Sequence, residues 1–358
     1  MKHLLVMAAG TGGHVIPGLA VAVEMKRRGW TVSWLGTSTG LENRLVPAAG
    51  IALDRVAFSG MRGKGVLGNA IGALRLVGAF FASARIVAHR RADAVLGMGG
   101  YICLPGGWAA WLLRKRLLVV NADAELLLSN RLLAPVARRI AFGFAGNSAR
   151  DAGAKAVVTG NPVRAAIEAI AEPATRFSGR VGALRLLVVG GSLGARVLNE
   201  CVPQAIALMT AAERPRVTHQ TGEAGQQDVR AAYAAAGADA EVLPFIDDMA
   251  ARLGDCDVIV CRAGAITVSE LCAAGVAAVL VPFVASTTSH QRDNAAWMAA
   301  REAALHLPQG ELSPGRLADL LSGLTRDALL AMATRARALA RPHAAARVAD
   351  EIEKMVAA

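Results

Sequence analysis

The chain has 358 residues, enough for two domains of ordinary size, each with its own hydrophobic core. Apolar residues make up 54% of it. No run of about 18 apolar residues is free of charge and glycine, which argues against a membrane-spanning helix. No secretory signal follows Met1, so the cytoplasm is the expected compartment. The net charge of +11 predicts attraction to polyanions, while an aromatic fraction of 4% leaves no stacking platform for nucleic acid.

Apolar strands alternate with helical segments, as in a parallel sheet covered on both faces, and this pattern occurs twice. In the first half we predict strands at residues 3–7, 31–35, 94–96 and 117–120, with an amphipathic helix over 19–28. In the second half we predict strands at 184–189, 216–220, 241–244, 258–261 and 278–281. The segment TGNPVR, 159–164, suits a hinge between two Rossmann-like units, and residues 342–358 suit a terminal helix. The five cysteines lack metal-ligand spacing and are expected to be reduced core residues.

The first strand is followed by the glycine-rich stretch AAGTGGHVIPG, residues 8–18. Glycines entering a helix let backbone N–H groups approach an anion, and the helix dipole favours a phosphate there. The structural alternative is that Gly10, Gly12 and Gly13 only allow a tight turn. The spacing is not GxGxxG, and no acidic residue ends the second strand, so a dinucleotide dehydrogenase is disfavoured.

Three further stretches follow predicted strands: GMGGY at 97–101, GGSLGAR at 190–196 and CRAGAITVSE at 261–270. Glycine loops at strand ends in both halves predict phosphates bound in a cleft between two units, hence a nucleotide diphosphate ligand. The last stretch places Thr267, Ser269 and Glu270 at a helix N-terminus. Glu270 could cap that helix or accept hydrogen bonds from a ribose diol.

Seven collinear motifs resemble the MurG family of glycosyltransferases: AAGTGGHVIPGLAVA, GMGGY, GNPVR, VVGGSLGARVLN, FIDDM, VCRAGAITVSEL and HQRDNA. The resemblance implies an α/β chain of GT-B fold, with two Rossmann-like parallel-sheet domains facing a central cleft. It implies residues 1–162 as an acceptor-binding and membrane-associating domain and 163–340 as a UDP-sugar-binding domain. Residues 341–358 would form a helix packing back on the first domain.

The resemblance also implies a reaction. N-acetylglucosamine would pass from UDP-N-acetylglucosamine to the 4-hydroxyl of the muramyl sugar of lipid I, with inversion, giving lipid II for peptidoglycan synthesis and so for cell shape and division. His14 is the candidate general base, since imidazole titrates near neutral pH; alternatively it orients the loop or binds the diphosphate. Backbone N–H groups near Ser192 and Gly194 would hold the leaving diphosphate, so we expect no metal ion and no cofactor.

Further site residues carry over from the family. Arg164, Phe245 and Ile246 would hold uracil, and Gln291 and Asn294 the sugar hydroxyls, unless these two only form an ordinary first helical turn, with His290 a solvated neighbour. The donor-binding residues implied are Thr11, Gly12, Gly13, Asp123, Arg164, Ser192, Phe245, Ile246, Ala265, Ile266, Thr267, Val268, Ser269, Glu270, Gln291 and Asn294. The acceptor-binding residues implied are Gly99, Gly100, Tyr101 and Asn121.

The sequence departs from the family pattern on the acceptor side. Where these enzymes usually read HEQN, the chain has Val120, Asn121, Ala122 and Asp123. Asn121 and Asp123 keep polar side chains that could bond a sugar hydroxyl. Ala9 replaces a usual glycine, and PFVASTTSHQ, residues 282–291, lacks the acidic and histidine residues often found before HQ.

Residues 61–91 set Leu74, Val77, Phe80 and Phe81 among Arg62, Lys64, Arg75, Arg85, Arg90 and Arg91. Such a mixture suits an anionic membrane surface, and the alternative is a core-facing helix with a solvated basic end. We expect peripheral attachment at the cytoplasmic face of the inner membrane, no nucleic acid partner, and cell-wall synthesis proteins as possible partners. A UDP-sugar epimerase and a non-catalytic UDP-sugar-binding protein stay open as alternatives.

Overall fold

The computed structural model describes residues 1–10, 12–58, 65–191, 194–283 and 290–357, with the backbone alone for residues 65–70. The chain divides into two compact units. One comprises Met1–Val163 and His343–Ala358, and the other comprises Arg164–Pro342.

Strands and helices alternate along the chain. The elements up to the unit boundary are β1 (His3–Ala8), α1 (Gly12–Arg27), β2 (Thr31–Thr37), α2 (Glu42–Ala48), β3 (Ala52–Val56), α3 (Gly65–His89), β4 (Ala94–Gly99), α4 (Cys103–Leu112), β5 (Arg116–Asn121), α5 (Leu128–Leu133), β6 (Arg139–Phe142), α6 (Asn147–Asp151) and β7 (Ala156–Val158). Beyond it lie α7 (Ala165–Glu168), α8 (Pro173–Phe177), β8 (Arg185–Val189), α9 (Arg196–Leu208), β9 (Arg216–Gln220), α10 (Gln226–Ala235), β10 (Ala240–Leu243), α11 (Met249–Asp255), β11 (Val258–Cys261), α12 (Ala265–Ala274), β12 (Ala277–Leu280), α13 (His290–Ala299), β13 (Leu305–His306), α14 (Pro314–Ser322), α15 (Arg326–Ala338) and α16 (Ala344–Ala357).

Each unit is built on one parallel sheet. The first has seven strands in the order β3-β2-β1-β4-β5-β6-β7, and the second has six in the order β10-β9-β8-β11-β12-β13. The described neighbours pair in parallel throughout both sheets. The prediction of two Rossmann-like parallel-sheet units is therefore confirmed.

The apolar side chains of β1 show why the first sheet is covered on both faces. Leu4 and Val6 belong to one buried cluster with residues of α1 and α16, whereas Leu5 and Met7 belong to another with residues of α3 and α4. Alternate residues of a strand point to opposite faces, so an uninterrupted apolar strand needs a helical layer on each side. In the second unit, one cluster unites Val188 of β8 with residues of α9, α14 and α15.

The terminal helix α16 packs against α1 of the first unit. Arg28, just after α1, donates to Asp350 at 2.7 Å and to Glu353 at 2.8 Å. Trp30 Nε1 donates to the same Glu353 carboxylate at 3.2 Å. These polar contacts border an apolar interface that includes Val348 and fix the angle at which the helix lies.

The strand predictions miss the short elements β3, β6, β7 and β13. The strand β3 mixes apolar with charged residues at a sheet edge, and β13 contains only two residues, so neither carries an apolar run. Helix α1 begins at Gly12, seven residues before the predicted start at 19. Its glycines and Pro17 oppose helix formation, but Val15 and Pro17 are buried in the unit, and packing overrides propensity.

Candidate functional site

Each sheet reverses its strand order at one point, and predicted site loops follow the strands on both sides of it. In the first sheet the reversal lies between β1, which precedes His14, and β4, which ends at Gly99. In the second it lies between β8 and β11, which lead into the predicted site stretches at 190–196 and 261–270. Open parallel sheets bind ligands at the carboxyl ends of strands beside such a reversal. Each unit therefore carries a candidate binding edge.

The first glycine bend is held by a carboxylate of the protein itself. Gly10 adopts φ +95°, and its N–H donates to Glu42 Oε2 at 2.9 Å. Glu42 is fully buried, and its Oε1 accepts from the backbone N and the hydroxyl of Thr37 at 3.1 and 2.7 Å. For Gly10 this favours the structural alternative, in which the glycine allows a tight turn. Gly12 and Gly13 open α1, where first-turn N–H groups remain available to an anion; Thr11 lies outside the described residues.

His14 lies in the first turn of α1, half-buried against β4. Burial lowers the pKa of its imidazole below the ordinary value, while a hydrogen bond with the Ala9 backbone and the charge of Asp123 act in the opposite direction. Its Nδ1 is buried and has no hydrogen-bond partner among the described residues. A neutral imidazole with an unused nitrogen is chemically suited to accept a proton.

The glycines of GMGGY allow their own backbone to approach both the backbone of Ala9 and the imidazole of His14. Gly99 and Gly100 adopt φ +120° and +90°. A Cβ on Gly99 would lie 2.8 Å from Nε2 of His14, and one on Gly100 would lie 2.5 Å from the carbonyl oxygen of Ala9. Gly99 thus lets the imidazole of His14 lie against the chain, and Gly100 lets the backbone of Ala9 approach, while Tyr101 beside them leaves about half of its surface exposed. The acceptor contacts predicted for these three residues remain a prediction.

The side chain of Asn121 makes its hydrogen bonds within its own loop. The side chain is fully buried, and its Nδ2 donates to the carbonyls of Asp123 and Glu125 at 2.8 and 3.0 Å. Its Oδ1 accepts from Leu127 N at 3.0 Å and from Asn130 Nδ2 at 3.1 Å. These four bonds fill the capacity of the amide. This corrects the expectation of a polar group free to bind a sugar, because Asn121 instead shapes residues 121–130.

The other residues that depart from the family pattern, Val120, Ala122 and Asp123, are divided between the core and the surface. Val120, at the end of β5, is buried, and the carbonyl of Ala122 accepts from Asn161 Nδ2 at 2.8 Å. Asp123 is half-buried, and its charge favours protonation of His14. Asp123 therefore acts on the imidazole electrostatically; its contact with a sugar remains a prediction.

The second glycine loop folds tightly onto the end of β9. Gly191 and Gly194 adopt φ +100° and +75°, and the N–H of Gly194 donates to the carbonyl of Gly191 at 2.9 Å. A Cβ on Gly194 would collide with the carbonyl oxygen of Thr221. The loop leads into α9, whose N-terminal residue Ala195 makes no side-chain cap. The first-turn N–H groups of α9 therefore have no capping side chain from Ala195, and their contact with a diphosphate remains a prediction; Ser192 and Leu193 lie outside the described residues.

Helix α12 presents the backbone of Ala265, Ile266 and Thr267 in its first turn, after the uncapped Gly264. The N–H of Val268 already donates to the carbonyl of Gly264 at 2.9 Å, so Val268 lies within the hydrogen-bonded part. The N–H groups of the three residues before it have no acceptor within the helix, and the donor contacts that the family resemblance implies for them remain a prediction. Further along α12, the hydroxyl of Ser269 donates to the carbonyl of Ala265 at 2.9 Å.

Glu270 is the sixth residue of α12, so the capping alternative is wrong. Its Oε1 accepts from Nη2 of Arg164 at 2.9 Å and from Nε at 3.1 Å. Burial raises the pKa of the Glu270 carboxyl, and Arg164 opposes that rise. The structure therefore joins the residue predicted for uracil to the residue predicted for ribose in one ion pair, and their ligand contacts remain predictions.

The predicted sugar-binding residues of α13 have different environments. Gln291 accepts a hydrogen bond from the N–H of Phe283 at 2.8 Å through Oε1. Asn294 is fully buried, and its Nδ2 donates to the carbonyl of Ala263 at 3.1 Å. His290 has a buried Nδ1 without a partner among the described residues. Gln291 thus lies at the site, whereas Asn294 joins α13 to the end of β11; residues 284–289 lie outside the described part.

The predicted uracil segment follows β10. Phe245 is half-exposed, and the N–H of Ile246 donates to Oε1 of Gln220 at 3.2 Å. That N–H is therefore engaged within the protein, and neighbouring backbone carbonyls are the groups left for a base. The packing of Phe245 over uracil remains a prediction.

Sequence analysis overlooks Arg262, the residue after β11. It lines a cavity of about 470 Å³ together with Gly190, Gly194, Phe283 and Gln291. Its guanidinium lies 5.4 Å from the Phe283 ring, and Nη1 donates to the Val281 carbonyl at 3.1 Å and to Gln309 Oε1 at 2.8 Å. Both acceptors are neutral. An arginine in a motif otherwise made of small residues, CRAG, is the sequence signal for a cation beside this cavity.

Two further residues that shape the binding edges, Glu42 and Gln220, are marked less clearly in the sequence than Arg262. Glu42 follows a polar stretch after β2, and Gln220 ends a buried strand. A polar residue at the carboxyl end of a parallel strand indicates a group at the binding edge. The described cysteines are all free and buried, and the described residues contain no group of three His, Cys, Asp or Glu placed to hold a metal ion.

Comparison with known proteins agrees with this geometry. The model of the glycosyltransferase family 28 N-terminal domain matches residues 4–142, and that of the family 28 C-terminal domain matches residues 185–352. The crystal structure of Acinetobacter baumannii MurG superposes with a TM-score of 0.86 at 37% identity, covering 99% of this chain and 100% of that one. These matches define a glycosyltransferase of GT-B fold. The chain belongs to glycosyltransferase family 28, and the resemblance to MurG proteins is confirmed.

Full-length relatives carry one name, UDP-N-acetylglucosamine–N-acetylmuramyl-(pentapeptide) pyrophosphoryl-undecaprenol N-acetylglucosamine transferase. The protein of that name from Methylibium petroleiphilum is 66% identical over 99% of this chain and 98% of its own length. The one from Herminiimonas arsenicoxydans is 55% identical over 99% of both chains. A Neisseria meningitidis UDP-GlcNAc 2-epimerase bound to UDP-GlcNAc has a TM-score of 0.69 at 12% identity, covering 99% of this chain and 100% of its own, so it shares the fold alone.

Proposed function

We propose that this chain is an inverting hexosyltransferase that moves N-acetylglucosamine from UDP-N-acetylglucosamine to the 4-hydroxyl of the muramyl sugar of lipid I. The product is lipid II, the precursor of peptidoglycan. The observation that carries the proposal is the buried Nδ1 of His14, which has no partner in the described part of the chain and lies at the binding edge of a family 28 protein. Full-length relatives named for this transfer support the choice of substrates.

The second unit would hold the donor. The first-turn N–H groups of α12, Gln291 and the Arg164–Glu270 pair surround the same sheet edge, where a nucleotide sugar needs donors for phosphate and hydroxyl oxygens. Glu270 uses Oε1 for Arg164, and Oε2 would accept from the ribose diol. Gln291 lines the cavity and uses its Oε1 to accept from the N–H of Phe283, so its Nε2 would be the group that donates to a sugar hydroxyl.

The chemical step would be a displacement at the anomeric carbon. The 4-hydroxyl oxygen forms a bond to that carbon while the bond from the carbon to the β-phosphate oxygen breaks, and its electron pair leaves with UDP. His14 takes the hydroxyl proton, since its lowered pKa keeps the imidazole neutral at pH 7. Attack from the face opposite UDP inverts the configuration and yields a β-linked disaccharide.

The charge that develops on UDP would be met by fixed groups of the second unit. The N-terminus of α9 and the loop N–H groups beside Gly194 supply aligned dipoles. Arg262, which faces the same cavity without a carboxylate partner among the described residues, supplies a full positive charge. These groups can perform the stabilisation for which other transferases use a metal ion, and the proposal includes no cofactor.

The first unit would attach to the cytoplasmic face of the bacterial inner membrane. Leu74 is 73% exposed and Phe81 is 65% exposed, and with Ile71 and Val77 they follow one face of α3. By length and composition alone, Ile71–His89 could also cross a membrane, which is weak evidence because soluble proteins contain such helices. The helix packs on α4, and peripheral attachment by the exposed face is the proposal.

Cations border this apolar face, although fewer of them belong to α3 than the sequence suggests. Arg75 and Arg85 are exposed, but Arg90 pairs with Asp54 at 2.7 Å, while Arg62 and Lys64 lie outside the described residues. A second basic group lies at the end of α4, beside the exposed Trp111. It lines a cavity of about 840 Å³ and includes Arg114, Lys115, Arg116 and Arg138. Both groups suit anionic lipid headgroups.

Product analysis tests the proposed function. The chain is incubated with UDP-N-acetylglucosamine and a lipid I analogue in vesicles of phosphatidylglycerol and phosphatidylethanolamine. We expect a β-linked disaccharide on the lipid and UDP in equal amount. Conversion of the nucleotide sugar to its 2-epimer without lipid product would instead identify an epimerase. Binding of the nucleotide sugar with no chemical change would identify a non-catalytic binding protein.

A further inference from the structure

We propose that Gln220 is a positioning residue that couples the diphosphate-binding loop to the base-binding segment of the donor site. The inference rests on the proposed function, because it takes the ligand of the second unit to be a uridine diphosphate sugar. Gln220 is not among the site residues predicted from the sequence. The inference makes binding of the base and binding of the diphosphate both depend on the buried amide of Gln220.

The topology of the second sheet places Gln220 between the two segments. It is the last residue of β9, and β9 lies between β10 and β8. In the register of the sheet, Gln220 is paired with Val189 of β8 and with Leu243 of β10. The glycine loop begins directly after Val189, and Ile246 follows three residues after Leu243.

The amide of Gln220 bonds both segments. Its Nε2 donates to the carbonyl of Gly191 at 2.9 Å, and its Oε1 accepts from the N–H of Ile246 at 3.2 Å. A carbonyl can only accept and a backbone N–H can only donate, so these two partners fix the amide orientation. Gln220 is 2% exposed, which means that water cannot replace either bond without rearrangement.

Each bond adds to the support that the backbone already gives to a segment: the Gly191 carbonyl also accepts from the N–H of Gly194 at 2.9 Å, and the Pro244 carbonyl accepts from the N–H of Gly222 at 3.1 Å. Gly191 adopts φ +100° and precedes the predicted phosphate contacts, so its carbonyl direction determines where the following N–H groups point. On the other side, a planar trans peptide places the Phe245 carbonyl opposite the N–H of Ile246. Holding that N–H toward β9 therefore turns the Phe245 carbonyl away from β9, where a uracil could donate to it.

A purely structural role would make Gln220 important for folding alone. Coupling makes a different prediction, namely that a folded variant loses affinity for both the nucleoside and the nucleotide sugar. Neighbouring contacts keep the fold in place: Asn199 Nδ2 donates to the Thr221 carbonyl at 3.0 Å, and the N–H of Thr221 donates to Leu243 at 3.0 Å. These contacts do not involve the Gln220 side chain, so its substitution leaves them intact.

The test uses Gln220→Glu in the full chain, with Gln204→Glu on the exposed face of α9 as the matched control. Calorimetry gives the Kd of UDP-N-acetylglucosamine from pH 5 to pH 8. The diphosphate group of this nucleotide sugar does not titrate in that range. At pH 8 the ionised carboxylate of the Gln220→Glu variant repels the Gly191 carbonyl, and we expect affinity to fall about ten-fold, or about 1.4 kcal/mol. At acidic pH the protonated carboxyl has the shape and donor of glutamine, so affinity relative to wild type should recover.

A second variant, with an uncharged side chain, tests the same inference. Gln220→Met fills a similar volume but makes neither hydrogen bond, and we expect weaker binding of uridine, measured by NMR titration, and of UDP-N-acetylglucosamine, with no pH-dependent recovery. Thermal unfolding shows whether each variant is folded. If a folded Gln220→Glu or Gln220→Met binds both ligands as wild type does, the inference is overturned. If the wild-type chain itself fails to bind UDP-N-acetylglucosamine, it is the proposed function that fails.

Discussion

The imidazole of His14 lies directly against the backbone of Gly99, where even a methyl group would come within 2.8 Å of Nε2. One residue belongs to the first turn of α1 and the other ends β4, so the contact crosses the reversal point of the first sheet. It explains why glycine occurs at the end of a buried strand, and it fixes the ring whose Nδ1 is left unpartnered among the described residues.

Substitution of Gly99 by alanine should therefore damage catalysis more than donor binding. The φ of +120° disfavours alanine by about 1–3 kcal/mol. Displacing His14 by about 1 Å should lower the transfer rate about 100-fold. Donor affinity should change far less, because most of the implied donor-binding residues belong to the second unit. Gly315→Ala, at a site with nothing within 4 Å, is the control for glycine substitution. Equal loss of donor binding in Gly99→Ala would contradict this explanation.

The pH dependence of transfer should follow the protonation of His14. Burial lowers its pKa below 6.5, and only the neutral ring can accept a proton. Activity should thus be fully present at pH 7 and should fall as the pH drops through that lowered pKa. The Asp123 charge raises the pKa, so Asp123→Asn should shift the acid limb of kcat/KM to lower pH. A shift in the opposite direction would exclude this electrostatic role.

Removal of the Glu42 carboxylate should destabilise the first unit. Glu42→Ala leaves the N–H groups of Gly10 and Thr37 without their carboxylate acceptor, while the Thr37 hydroxyl keeps the Thr39 carbonyl as a partner. We expect the free energy of unfolding to fall by about 2–3 kcal/mol, measured in urea. Glu223→Ala, on the exposed surface of the second unit, should change it by less than about 0.5 kcal/mol. A Glu42→Ala protein as stable as wild type would show that the bend does not depend on this carboxylate.

Membrane attachment should depend on the exposed face of α3. Replacing Leu74 and Phe81 together by serine removes two large apolar side chains, each worth about 1.5–3 kcal/mol when buried. Binding to phosphatidylglycerol vesicles, measured by sedimentation, should weaken at least about ten-fold. Leu208→Ser, at an exposed position of α9, should leave it unchanged. Equal vesicle binding by the double variant would place the lipid contact elsewhere.

The sequence predicts the sheets better than the side-chain contacts at their edges. Apolar runs such as residues 4–7 and Val258–Cys261 identify buried parallel strands because both faces must be covered. The edge strand β3, ALDRV, carries too little apolar character to be recognised in the same way. The position of α1 is also misjudged, since only tertiary packing stabilises a helix that opens with two glycines.

At the binding edges, the type of a residue predicts which hydrogen bonds its side chain can make, but not whether its partner is a ligand or the protein itself. Asn121 has a polar side chain suited to a sugar, yet all of its hydrogen bonds are made within its own loop. Glu42 and Gln220 lie outside any recognised motif, and their importance follows from contacts over 32 and 29 residues of sequence. Such contacts depend on strand order and register, which local patterns do not encode.

The central claim is that His14 removes the proton from the acceptor hydroxyl while the second unit holds the donor. The most direct measurement is the single-turnover rate of transfer from labelled UDP-N-acetylglucosamine to a lipid I analogue, for wild type and His14→Ala, at saturating donor. We predict that His14→Ala binds the donor with unchanged Kd and transfers about 100- to 10,000-fold more slowly, as expected for loss of a general base. Transfer by His14→Ala at the wild-type rate would contradict the account.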